Sequence, residues 1–260
     1  MLATFSTKGN QTAGPANDLS RVWSLGLPVG VGLVLLVVAM IIPSGEDYDL
    51  VLRSESGLIE SLTIIGCLIG CVVSIIVAQN TRKLQHARLF QWYMYLFAGG
   101  FLLLAGEEAS WGQHLFGWTA PTEFGRETNL HNLSIQTEQI PKVILHAAAI
   151  LGGLIWPLFG AKRWQTVPDW WKWLLPTAVA VPTILIALAV RLVERVFVWF
   201  DIEPVYTRFE NFKELKEANE MFLVYFLILY VFSLRKRIHL SHQTGVRSEV
   251  WRPSNNSGAF

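Results

Sequence analysis

Six runs of mainly apolar residues constrain the fold of this chain more than any other feature of its sequence. A helix crosses the hydrocarbon core of a bilayer with about 17–25 such residues. Apolar residues make up 52% of the chain and charged residues only 16%, against about 25% charge in soluble domains. The sequence therefore predicts an all-α, polytopic membrane helix bundle of about six transmembrane helices. The runs are Trp23–Ile42, Leu58–Ala78, Leu89–Ala105, Val143–Phe159, Trp173–Val190 and Met221–Leu234.

Charge and motif content exclude several other classes of protein. The formal net charge is +1 and no basic block is longer than three residues, so we expect no binding to nucleic acid. The sequence lacks a Walker loop, a Gly-x-Ser-x-Gly motif and a His-Glu-x-x-His motif, which mark common soluble enzymes. The partner that the composition does imply is the lipid bilayer of a cell membrane, crossed several times.

Lysine and arginine in the short loops set the expected orientation, because cytoplasmic loops carry an excess of them. Basic residues follow the second, fourth and sixth runs, as in Arg235, Lys236 and Arg237, whereas Arg53 is alone after the first run. Both termini are therefore predicted inside, with flexible cytoplasmic tails at 1–20 and 239–260. The transmembrane domain is predicted at 21–238, with long outer loops at 106–142 and 191–220. Five basic residues in the second of these loops are the exception to the rule.

Two adjacent carboxylates, Glu107 and Glu108, end the third run. They face the negative end of the helix dipole, where cations are preferred, so this placement costs stability. One interpretation is a pair of solvated carboxylates at the lipid headgroups. Because Trp111 and Phe116 follow at once, we instead expect this segment to pack against protein.

The first long loop also carries Glu127 and His131, which stand one turn apart if this segment is helical. Imidazole and carboxylate at this spacing suit one Zn²⁺, Mn²⁺ or Fe²⁺ ion. A simple surface pair is the alternative, since the same spacing is common on exposed helices.

The sixth run is too short to span a bilayer alone, and Arg235 follows it directly. We therefore expect this helix to continue outward through Glu220 and Glu217. The alternative role of these acids is to complement the helix dipole and pair with neighbouring lysines. Arg191 and Arg195 close the fifth run and are predicted either to bind an anionic group or to form an ion pair with Glu194.

Parts of the chain resemble an uncharacterised family of bacterial multi-pass inner-membrane proteins. The resemblance covers Glu107–Gly117, where the family has Glu-Glu-x-Ser-Trp-Gly-Gln, and Glu127–Asn132, where it has Glu-x-Asn-Leu-His-Asn. The segment Glu55–Thr63 matches an upstream acidic pattern of the same family. The resemblance implies a bacterial inner-membrane location and no particular activity.

The leading hypothesis is a metal-dependent hydrolase or transferase that acts on a lipid-linked substrate at the extracytoplasmic face. Glu108, Glu127 and His131 would hold the metal, Glu107 or Glu217 would act as general base, and Arg191 and Arg195 would bind the substrate's anionic group. Two alternatives stay open: a cation or proton carrier, and a structural or assembly subunit without catalysis. The sequence leaves four further residues as open candidates for the site: His114, His146, Glu60 and Glu220.

Overall fold

A computed structural model describes residues 19–41, 57–81, 87–119, 128–129, 135–159, 166–167, 174–199 and 216–243. Of these residues 91% are helical, and no strand occurs among them. The α-helices are α1 (Leu27–Ile41), α2 (Leu58–Asn80), α3 (Ala87–Glu108), α4 (Gln113–Phe116), α5 (Ile135–Ala148), α6 (Trp156–Phe159), α7 (Val181–Trp199) and α8 (Lys216–Gln243). A π-helical turn, Val22–Gly26, precedes α1, and a π-helical segment, Ala149–Ile155, joins α5 to α6.

Three helices are long and apolar enough to cross a membrane: Leu58–Asn80, Arg88–Glu108 and Lys142–Phe159. Two shorter apolar helices lie at Val22–Val38 and Ala178–Val193. The outer side of α2 is a stripe of apolar side chains, each about half exposed, at helical spacing: Leu58, Leu62, Ile65, Ile69 and Val72. Because such continuous apolar surfaces are rare on soluble monomers, the fold fits a membrane protein.

Helix α8 lies at the centre of the bundle and takes part in both apolar clusters of the core. On one side Phe222 and Phe226 pack with Ile184 of α7. On the other side Val231 packs with Met94 of α3. A helix surrounded by protein does not need the apolar perimeter of a lipid-facing span. This explains why its apolar run is the shortest of the six.

The length argument for the last helix is confirmed, because α8 begins at Lys216 and includes Glu217 and Glu220. It also continues past Arg235 to Gln243, so it extends into the expected tail at 239–260. Helices reach into both expected outer loops as well: α4 and the start of α5 lie within 106–142, and the end of α7 lies within 191–220.

The fifth predicted run, Trp173–Val190, is interrupted at Pro176: Leu174 is helical, residues 175–177 are not, and α7 follows this break. The helix begins with a 3₁₀ turn at Ala178–Ala180 and becomes α-helical at Val181. Pro182 therefore lies in the first turn, where no backbone hydrogen bond is lost. Pro176 precedes the helix.

Side chains of α8 bind the chain at the break before α7, where Leu174 is helical and Leu175 is not. The Tyr230 hydroxyl donates to the Leu174 carbonyl, and Arg237 donates to the Leu175 carbonyl at 3.0 Å. Because the single hydroxyl proton of Tyr230 is used in this way, Tyr93 must donate the 3.0 Å hydrogen bond between the two tyrosines. Irregular backbone at membrane depth is tolerated only where protein supplies such partners.

Replacing Tyr230 by phenylalanine should destabilise the protein, because it removes the partner of the Leu174 carbonyl and of the Tyr93 hydroxyl. We expect a loss of about 1–3 kcal/mol in the free energy of unfolding, the usual cost of leaving a buried polar group unpaired. The matched control is Tyr95→Phe, since Tyr95 is exposed on α3. Equal denaturation midpoints for the two variants in detergent would contradict this role of Tyr230.

Candidate functional site

Acidic side chains from three helices meet at one end of the bundle. Glu60 lies in the first turn of α2, Glu108 is the last residue of α3, and Glu217 and Glu220 begin α8. The Glu108 carboxyl is hydrogen-bonded to the Glu220 carboxyl and interacts electrostatically with Glu217 and Glu60. We call these four residues the acidic centre.

The hydrogen bond between Glu108 and Glu220 defines the chemistry of the acidic centre. An ionised carboxylate can only accept hydrogen bonds, so a bond between two carboxyl groups requires a proton on one of them. Two further carboxyl groups nearby add like charge. The arrangement therefore favours a cation, and a proton shared by the Glu108 and Glu220 carboxyl groups satisfies their hydrogen bond.

The four acids differ in their relation to the helix dipoles. Glu60 and Glu217 lie in the first turns of α2 and α8, where a negative charge is favourable. Glu108 lies at the C-terminal end of α3, where it is unfavourable. Interaction with the helix dipoles thus explains the positions of Glu60 and Glu217 but not that of Glu108.

Lys142 of α5 is a cation next to the acidic centre that the sequence analysis did not single out. Its Nζ lies 3.5 Å from Oε1 of Glu220, with 44% and 31% of the two side chains exposed. Ion pairs this exposed contribute at most about 1 kcal/mol to stability. Lys142 can therefore leave Glu220 at little cost when another cation arrives.

His146, an open candidate from the sequence, joins α5 to α8 by a hydrogen bond. Its Nδ1 lies 2.7 Å from the Lys142 carbonyl, which can only accept, so Nδ1 carries the proton. In the neutral ring Nε2 then accepts from Nδ2 of Asn219 at 3.0 Å. Both ring nitrogens are occupied in this arrangement, which makes His146 a positioning residue rather than a metal ligand.

The same geometry fixes the orientation of the Asn219 side chain, which the sequence analysis missed. Because Nδ2 faces His146, the Oδ1 atom faces away from it. Asn219 is 2% exposed, and its Oδ1 has no hydrogen-bond partner among the residues that the structure describes. Asn219 shares a helical turn with Glu217 and Glu220. The available signal was an uncharged amide among the charged residues that precede the apolar run.

The chain after α3 forms a tight turn that binds a distant part of the first long loop. Oε1 of Gln113 accepts hydrogen bonds from the Thr128 backbone N–H at 2.8 Å and from its hydroxyl at 3.0 Å. Asn129, which is buried, donates from Nδ2 to the Ser110 hydroxyl at 3.4 Å. Thr128 and Asn129 are thereby fixed beside the end of α3. Ser110, which binds Asn129, follows Glu108 by only two residues.

Three further predicted site residues, Glu107, Arg191 and Arg195, are described by the structure but do not belong to the acidic centre. Glu107 accepts a 2.6 Å hydrogen bond from Nε1 of Trp111, so it is engaged in the turn after α3. Arg191 and Arg195 both lie in the last turns of α7, Arg191 half-buried and Arg195 exposed. The exposure of Arg195 leaves its guanidinium accessible to a ligand.

Two of the three predicted metal ligands, Glu127 and His131, lie outside the described residues, as does the side chain of His114. Within the described ranges, no three His, Cys, Asp or Glu side chains are grouped closely enough to hold a metal ion. The acidic centre alone therefore does not complete a metal site in this conformation. A metal site at this end of the bundle requires ligands from elsewhere in the chain.

Comparison with known proteins adds no functional assignment. No family model, no curated protein and no solved structure matches this chain.

Proposed function

We propose that this chain is a multi-pass protein of a cell membrane, most simply a bacterial inner membrane, with six spans and both termini inside. Three apolar helices of spanning length and the apolar outer surface of α2 support the membrane location. The distribution of lysine and arginine supports the orientation. The acidic centre then lies at the extracytoplasmic face.

The proposed activity is metal-dependent hydrolysis or group transfer on a lipid-linked substrate. Glu108, Glu127 and His131 would hold a divalent Zn²⁺, Mn²⁺ or Fe²⁺ ion, and such an ion would supply a nucleophile by lowering the pKa of a water molecule. Glu217 suits the role of general base because it interacts with Glu108. Glu107 is the other candidate base, although its hydrogen bond to Trp111 engages one oxygen. Arg191 and Arg195 bind the anionic group of the substrate.

One observation carries this proposal: Thr128 and Asn129 are bound beside the end of α3. Glu127 directly precedes this pair, and His131 follows it by two residues. Because consecutive Cα atoms are only 3.8 Å apart, we infer that Glu127 and His131 come within reach of an ion held by Glu108. The 23 positions that separate Glu108 from His131 in sequence are thus no obstacle to a shared ion.

Replacing Gln113 by alanine tests this placement without removing any ligand. The variant loses both hydrogen bonds to Thr128, the contact by which the proposal brings Glu127 and His131 to Glu108. Loss of a residue that positions metal ligands typically lowers metal affinity about 10–100-fold, and we expect that range in titrations of the full chain with Zn²⁺ and Mn²⁺.

The matched control is Gln91→Ala, which removes a 3.1 Å hydrogen bond to the Ala78 carbonyl at the opposite end of α3. Its metal affinity should equal that of the wild type. Equal affinities for the Gln113 and Gln91 variants would contradict the proposed placement. Absence of binding by the wild type would contradict the metal centre itself.

A second candidate function, a proton carrier, is favoured by the hydrogen bond between the Glu108 and Glu220 carboxyl groups. A carrier also needs a polar path to the other face. Between the acidic centre and the Tyr93–Tyr230 pair, the core holds buried Phe101 and Cys67, which interrupt such a path. We therefore place the carrier second. Proton uptake into vesicles that is lost in Glu108→Gln would reverse this order.

A further inference from the structure

Three aromatic side chains after α3 each leave a large part of their surface exposed, contrary to the expectation that this segment is covered by protein. Trp111, Phe116 and Trp118 are 42%, 76% and 42% exposed. The rings of Phe116 and Trp118 stack on each other at 5.6 Å between centroids, with 11° between their planes. We call the segment 111–118 the aromatic turn.

The aromatic turn is a built structure and not a loose connection. Ser110 and Trp111 adopt left-handed backbone conformations, with φ of 44° and 52°, each costing roughly 1–2 kcal/mol for a residue other than glycine. Trp111 is tied to Glu107 and packs over Gly106, where an added Cβ would lie 2.9 Å from the indole ring. The exposed rings are thus held in place at an energetic cost.

The Phe116–Trp118 pair lies close to Gly112 of this turn. Gly112 has φ of +84°, and a Cβ there would lie 3.0 Å from the Phe116 ring and 3.5 Å from the Trp118 ring. Glycine at position 112 therefore allows both the left-handed backbone conformation and the close approach of the two rings. One broad face of aromatic surface is left uncovered by the described residues.

The position of this surface indicates what covers it. The aromatic turn follows the last residue of α3, and α3 itself exposes Leu102 and Leu103 by 56% and 46%. Exposed apolar side chains of a helix that fits a membrane span thus lie in its last two turns, just before the aromatic turn. Tryptophan collects where hydrocarbon meets the headgroups, because its ring is apolar and its N–H is polar.

We propose that the aromatic turn is an interfacial anchor that lies among the lipid headgroups of the bilayer. The occupant of its exposed face is lipid, and the anchor fixes the depth of Glu107 and Glu108 relative to the membrane surface. Residues 109–119 contain neither lysine nor arginine. The anchor therefore acts through apolar and aromatic contact, and neutral lipids suffice.

The test places a fluorophore on the turn of the full chain and measures its depth in phosphatidylcholine vesicles. Cys67 and Cys71 are first replaced by alanine, and bimane is attached to Phe116→Cys or Trp118→Cys. Leu102→Cys on α3 is the matched control. Nitroxide lipids quench the fluorophore from the headgroup or from deep in the acyl chain, and iodide quenches it from water.

We expect headgroup nitroxides to cause the larger loss of fluorescence at both turn positions, and deep acyl nitroxides to cause the larger loss at Leu102→Cys. Adding anionic lipid should not change this order. Strong quenching by iodide with little quenching by either lipid would overturn the proposal and indicate a surface that faces water or another protein. A depth profile equal to that of Leu102→Cys would overturn it as well.

Discussion

Replacing Gly70 by leucine is expected to separate α2 from α3 and to destabilise the whole bundle. A Cβ at Gly70 would lie 2.5 Å from Cζ of Phe101 and 2.8 Å from Cδ1. Phe101 is 1% exposed, inside the cluster that joins α2, α3 and α8, so its ring has no room to move. Overpacking of a tight core costs about 1–3 kcal/mol for added methylenes and more for a whole side chain.

A destabilisation of about 3 kcal/mol corresponds to a fall in Tm of roughly 6–12 °C for a chain of this size. Thermal unfolding in detergent measures it. The matched control is Gly99→Leu on the exposed side of α3, where no atom lies within 4 Å of an added Cβ. That variant should be neutral or slightly stabilising, because leucine favours a helix more than glycine does. Equal Tm values for the two variants would contradict the close contact between α2 and α3.

Glu108→Gln is expected to abolish metal binding while preserving or raising the stability of the metal-free protein. The glutamine amide at position 108 can donate a hydrogen bond to Glu220, as a protonated Glu108 carboxyl can. The substitution also removes a negative charge from the C-terminal end of α3. The anion that a metal requires is lost. His131→Ala should abolish binding too, and the double variant should add little, since ligands of one ion are coupled.

The measurements for this prediction are Tm and bound metal for both single variants and the double variant. Glu108→Ala is the control for shape, since it removes the hydrogen bond to Glu220 as well as the charge and should lower Tm. Additive losses of metal affinity in the double variant would contradict a shared ion. So would unchanged metal content in Glu108→Gln.

The apolar runs alone give the main helices of this fold. The second run, Leu58–Ala78, agrees with α2 at Leu58–Asn80, because Gly57 and Asn80 end the apolar pattern abruptly. The fifth run, Trp173–Val190, does not correspond to one helix. Hydropathy does not show that residues 175–177 around Pro176 are non-helical. The break follows from Pro176, because a residue before proline disfavours the helical conformation. Tyr230 and Arg237 of α8 bind the carbonyls of Leu174 and Leu175 beside it.

The candidate site was also predictable from the sequence only in part. Topology brings Glu60, Glu108 and Glu217 to one end, because alternate loops of a helical bundle share a face. The choice of Glu220 as partner of Glu108 depends on side-chain positions in two helices far apart in sequence. Asn219 was missed for a related reason, since only the packing of α8 against α5 shows that its amide is buried and meets His146.

Elemental analysis of the purified full chain in mild detergent tests the central claim most directly. If the acidic end of the bundle is a metal centre, the wild type retains a stoichiometric amount of zinc, manganese or iron after dialysis, and Glu108→Gln retains none. A wild type that contains no metal, even after growth and purification with all three metals supplied, would contradict the account.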